Sequence, residues 1–75
     1  MSLAEGEAKL AYMANQIARY FEAQPEDAAA ATEDHLRKFW TPAMRSRIVE
    51  RANALDLSPV ARAAVTRLAQ AQPAK

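Results

Sequence analysis

Cysteine is absent from this chain, glycine occurs once (Gly6), and histidine and tryptophan once each (His35 and Trp40). Without cysteine there is neither a disulfide framework nor a thiolate metal site to hold a small fold together. A single histidine beside no cysteine also excludes the usual structural zinc sets. With one glycine there is no glycine-rich loop to cradle a phosphate. No apolar run approaches the roughly 18 residues that mark a membrane-spanning helix. No basic segment followed by a hydrophobic stretch opens the chain, which predicts a cytoplasmic location.

What the chain has is alanine, at nineteen of its 75 positions. Half the residues are hydrophobic (51%), but so many are Ala that large apolar side chains are scarce. The length allows one small domain, which typically buries only about 60% of its unfolded surface. With no disulfide or metal available, a protein partner is the remaining way to support a core this thin. Nineteen Ala against one Gly favour helix throughout, because Ala has the best helix propensity and Gly nearly the worst. The reading is a single all-α domain over residues 1–75, ordered over about 7–71, with a frayed start and tail.

Pro25, Pro42 and Pro59 are evenly spaced, each seventeen residues after the last. Proline fixes φ near its helical value and disfavours helix in the residue before it, so each reads as a helix opening. The spacing predicts four short helices, near 7–22, 26–39, 42–54 and 59–71, with brief connections that pack neighbours antiparallel or at steep angles. Thr41 and Ser58 are good N-caps before Pro42 and Pro59. The first helix is expected to bury Leu10, Met13, Ala14, Ile17, Tyr20 and Phe21, with order starting between Ala4 and Ala8. The third stripe is Met44, Ile48, Ala52 and Leu55, and the fourth is Val60 or Ala61 with Ala64, Val65 and Leu68. Glu33 with Arg37, and Asp34 with Lys38, form favourable i,i+4 pairs on the second helix.

The net charge of +1 conceals a split between the two halves. Residues 1–42 hold four basic and seven acidic groups, net −3, whereas residues 43–75 hold six basic and two acidic groups, net +4. Such a split can steer a partner or orient one half against the other. The arginines of the later half (Arg45, Arg47, Arg51, Arg62 and Arg67) admit a small basic nucleic-acid-binding or regulatory protein. The competing reading is a solvated face, favoured because Glu50 interrupts the cluster and no stacking aromatic lies within it.

The richest stretch runs from His35 to Arg45, where a helix stop meets a helix start around Phe39-Trp40-Thr41-Pro42. His35 has no nucleophile or orienting partner beside it, so it reads as a helix-surface or junction histidine. Phe39 and Trp40 both read as core residues at this junction; the alternative keeps Phe39 inward, on the face of Leu36 three residues earlier, and turns Trp40 partly outward as a partner contact near Arg37 or Arg45. The candidate partner interface is therefore Trp40, Arg37, Arg45 and Met44, joined by Tyr12, Asn15 and Gln16 from off the first helical stripe. No residue is assigned to catalysis, to a metal or to a cofactor.

Two segments carry a family resemblance: Met13-Ala14-Asn15-Gln16-Ile17-Ala18 with Phe21 and Gln24-Pro25, and Asp34-His35-Leu36-Arg37-Lys38-Phe39-Trp40-Thr41-Pro42-Ala43-Met44-Arg45. Together they resemble the delta subunit of NAD-dependent formate dehydrogenase, over about residues 9–68. In that family a glycine-containing linker precedes the last helix, whereas Asn53-Ala54-Leu55-Asp56-Leu57 stands here without glycine. The resemblance implies a non-catalytic accessory subunit or assembly factor of a cytoplasmic molybdenum or tungsten enzyme. The larger subunits would be the partners. They would carry the bis-pterin metal centre, the iron–sulfur clusters, FMN and the NAD site.

Overall fold

The computed structural model describes residues 3–24 and 27–71. Its helices are α1 (Leu3–Glu22), α2 (Ala28–Phe39), α3 (Pro42–Arg51) and α4 (Pro59–Ala71), with one 3-10 turn at Ala52–Ala54 after α3. The architecture is all-α, as the composition requires. α4 packs most extensively on α2, and α1 lies against α2, α4 and α3.

The local chemistry explains most boundaries. Thr41 caps α3 by accepting the Met44 N–H at 3.2 Å, with Pro42 at the first position of the helix. Ser58 caps α4 in the same way through the Ala61 N–H, also at 3.2 Å. Three boundaries differ from the expectation. α3 ends at Arg51 rather than 54, its last stretch tightening into the 3-10 turn Ala52–Ala54. α2 is capped by Asp27, whose carboxylate accepts the Ala30 N–H at 3.2 Å, so the helix starts at Ala28 rather than 26. A side-chain acceptor at the cap decides the start; Pro25 and Glu26, given that role from sequence, lie outside the described residues. α1 starts at Leu3, earlier than the expected window, and runs through Gly6 as regular helix. Just after it, Glu7 ties α1 to α3: its carboxylate receives Arg47 at 3.4 Å and Arg51 at 3.2 Å. The expected frayed tail, 72–75, lies outside the described residues.

The connection before α4 turns without glycine and without any positive φ among the described residues. Arg62 reaches back from α4 and donates to the carbonyls of Ala52 at 3.0 Å and Leu55 at 3.1 Å. Asn15 on α1 grips the same connection from the other side. Its amide donates to the Asp56 carbonyl at 2.9 Å, and its oxygen accepts the Ser58 N–H at 2.8 Å.

The core is built from small residues at its centre. Ala14, Ala18, Ala61 and Ala64 are fully buried, around Leu36, Ile48, Val65 and Leu68. The α1 stripe therefore centres on Ala11, Ala14 and Ala18, with Leu10, Met13 and Ile17 half-buried along it. This corrects the expected stripe: Tyr20 is 63% exposed and Phe21 only half-buried. On α1 the small side chains face the neighbouring helices, and the larger ones of that helix lie at the margins of the buried face. Thr32 is also fully buried, and its hydroxyl has no hydrogen-bond partner among the described residues.

Candidate functional site

The buried positions of α2 are Thr32 and Leu36, and Trp40, four residues on at the end of the helix, is buried with them. Trp40 is 5% exposed and belongs to the core cluster, whereas Phe39 is 70% exposed. The core reading of Trp40 holds and its outward alternative does not, while the inward placement of Phe39 is corrected. The four-residue step follows the inward face more closely than the three-residue step from Leu36 to Phe39, because four residues advance 400° and three only 300°. At Trp40 the backbone turns extended, while its N–H still donates to the Leu36 carbonyl at 3.1 Å. The indole closes the corner between α2 and α3.

The other expected interface residues divide by what they bond. Arg45 donates to the carbonyls of Trp40 at 2.5 Å and Arg37 at 3.2 Å, so it ties down the end of α2. Asn15 holds the connection before α4, and Met44 is half-buried against the core. Arg37 pairs with Glu33 on its own helix. Gln16 and Tyr12 alone of the seven stand on an outer face without a structural task; the Gln16 amide donates to the Tyr12 hydroxyl at 2.7 Å. Tyr12 is 64% exposed.

Beside Tyr12 and Gln16 lies an aromatic strip that the sequence reading left out. Tyr20 and Phe21 meet edge to face with centroids 5.1 Å apart. Phe21 faces His35 across the α1–α2 groove at 6.2 Å, and His35 lies 4.7 Å from Phe39. A hollow of about 260 Å³ between Gln16, Ile17, Tyr20, Phe21 and His35 opens onto this strip. Four of the five Phe, Tyr and Trp side chains thus lie outside the core centre; Trp40 alone is buried. The spacing held the signal. Tyr12, Gln16 and Tyr20 are four apart, as are His35 and Phe39, and each set lines one helix face.

The arginines of the later half bond within the chain. Glu7 joins Arg47 and Arg51, Arg62 binds backbone carbonyls, and Arg67 on α4 reaches Glu33 at 3.2 Å and Asp27 at 3.9 Å on the acidic half. The charge split orients the two halves against each other.

Glu33 lies at the meeting point of α2 and α4. The hydrogen bond from Arg37 holds its carboxyl below the ordinary 4.5; partial burial opposes this, and Arg67 lowers it further. A depressed carboxyl stabilises the fold above its unfolded pKa, and that contribution disappears as pH falls through the lower folded value. The melting temperature is therefore expected to fall more steeply below about pH 4.5 for the wild type than for Glu33→Gln. Melts at pH 7 and pH 3 check this, and equal drops would contradict it.

The family model of the NADH-dependent formate dehydrogenase delta subunit, FdsD, matches residues 9–65. The chain belongs to the FdsD family. The match spans the whole aromatic strip, from Tyr12 to Phe39, and the α2–α3 corner. No curated protein and no solved structure matches. Among the described residues of this FdsD-family chain, no helix is long and apolar enough to cross a membrane. No three His, Asp or Glu side chains converge there as a metal-ligand set.

Proposed function

We propose that this chain is a non-catalytic accessory subunit or assembly factor of a cytoplasmic NAD-dependent formate dehydrogenase. Membership of the delta-subunit family carries this reading. The distribution of side chains supports it. The polar groups bond to the chain's own backbone and ion pairs, while aromatic rings face outward, as in surfaces that meet another protein. The redox chemistry belongs in this reading to the larger subunits, with their bis-pterin molybdenum or tungsten, iron–sulfur clusters, FMN and NAD.

The test is co-expression of the tagged chain with the larger subunits of a formate dehydrogenase. Stoichiometric co-purification, together with reduced yield or activity of the large enzyme when the chain is omitted, is the expected result. An enzyme that matures and survives equally well without the chain, and never binds it, would refute the proposal. Tight binding of the isolated chain to DNA or RNA, falling steeply with salt, would replace it with the nucleic-acid reading.

A further inference from the structure

The α1–α2 groove has the character of a seat for protein rather than for a cofactor. Cofactor pockets usually measure about 300–1,000 Å³ and enclose most of the ligand. The hollow of about 260 Å³ here is smaller, open and lined mostly by apolar surface, with the Gln16 amide, the Tyr20 phenol and the His35 imidazole among its residues. It suits one or two side chains of another protein.

The strip's area and charge select the occupant. Tyr20 and Phe39 are 63% and 70% exposed. At about 150–250 Å² for each aromatic side chain, the two together present roughly 200–330 Å². That is less than half of the ~800 Å² that each partner contributes to a stable interface. Two copies meeting strip to strip would fall short of that area. A larger protein can cover the strip and extend over its rim.

The strip itself carries no acid, lysine or arginine. At its α2 border Asp34 and Lys38 pair with each other at 3.1 Å, so the border adds no net charge. A neutral groove is complementary to a neutral, apolar ridge. An acidic or basic segment would lose solvation there without gaining an ion pair. A groove between two helices is also the shape that accepts the apolar face of a third.

We propose that the α1–α2 aromatic strip receives an amphipathic helix of a larger formate dehydrogenase subunit. The apolar, uncharged face of that helix seats over Ile17, Tyr20, Phe21, His35 and Phe39. Gln16 and the tyrosine hydroxyls supply polar contacts along one edge. The inference rests on the accessory-subunit reading and adds the surface and the chemistry of its partner.

The experiment uses the co-expressed complex. Tyr20→Ser combined with Phe39→Ser is expected to weaken binding to the larger subunits by at least about 30-fold, the scale of hot-spot loss. The melting temperature of the free chain should stay within a few degrees, because both residues are exposed. Arg19→Ser, in the polar cleft with Glu22, Asp56 and Ser58, should leave binding unchanged. A second measurement keeps an aromatic ring in place: a benzophenone side chain at position 39 should crosslink to a larger subunit, and one at position 19 should not.

The outcomes separate the two levels. If the wild-type chain never co-purifies with the larger subunits, the accessory reading fails and the docking proposal with it. If the wild type binds but the double variant binds equally well and position 39 yields no adduct, the strip assignment is overturned and the accessory reading stands. A free chain that sediments as a dimer, and is made monomeric by the same substitutions, would place a second copy on the strip and overturn the proposal.

Discussion

Trp40→Ala is expected to leave the isolated chain largely unfolded at room temperature. The indole is 5% exposed and lies in the same core cluster as Leu36 and Ile48. Truncating a buried Trp to Ala typically costs about 3–5 kcal/mol through lost transfer energy and the cavity left behind. At about 0.05–0.15 kcal/mol per residue, a chain of this length holds only roughly 4–11 kcal/mol in total. An alanine-centred core places it toward the lower end. The loss also reaches the corner itself, because Arg45 is positioned by the carbonyl of residue 40. Phe39→Ala removes a ring that is 70% exposed and should change stability by no more than about 0.5 kcal/mol. Urea denaturation followed by far-UV circular dichroism distinguishes the pair. A Trp40→Ala chain with a midpoint near the wild type would show that the indole is not holding the corner.

The second large effect is expected from adding atoms. Ala18 has no exposed surface and belongs to the core cluster. Interiors are filled to a density near 0.74, so a leucine there must push neighbouring helices apart or adopt a strained rotamer. Overpacking typically costs about 1–3 kcal/mol, sometimes more. For Ala18→Leu the upper part of that range applies, since α1 packs on three other helices. Leucine is nearly as good a helix former as alanine, so propensity does not confound the result. Ala8→Leu, at an exposed position on the same helix, is the control and should lie within about 0.5 kcal/mol of wild type. An Ala18→Leu chain as stable as the control would show that the seam has room to spare.

These two substitutions mark where the sequence was readable and where it was not. Helix existence, the caps at Thr41 and Ser58, and the two i,i+4 pairs on α2 follow from local chemistry that a single sequence contains. The facing of the helices was harder to read, because it depends on which stripe the neighbours select. Counting large apolar residues put Tyr20 and Phe21 inward, yet the neighbours pack on Ala11, Ala14 and Ala18. Counting three residues from Leu36 put Phe39 inward, where counting four finds Trp40. The candidate site inherited both errors. Asn15, off the first stripe, and Arg45, beside the corner, were read as interface candidates, and both bond to backbone carbonyls. Tyr12 and Gln16 were found because they lie off any stripe, and their continuation to Tyr20 was hidden by its place in the supposed core.

The alanine seam also shapes how the chain responds to temperature. The heat-capacity increment of unfolding arises from newly hydrated apolar surface, and for 75 residues it averages about 0.9–1.1 kcal/mol/K. A core centred on Ala14, Ala18, Ala61 and Ala64 hydrates methyl groups where other domains hydrate leucine and phenylalanine, which places this chain below that average. A small increment flattens the curve of free energy against temperature. The free chain then has modest stability spread over a broad range, with a gradual melt at the hot end and little tendency to unfold in the cold. Occupation of its outer face by a partner would raise the whole curve by mass action, and much of its resistance to heat would then belong to the assembly.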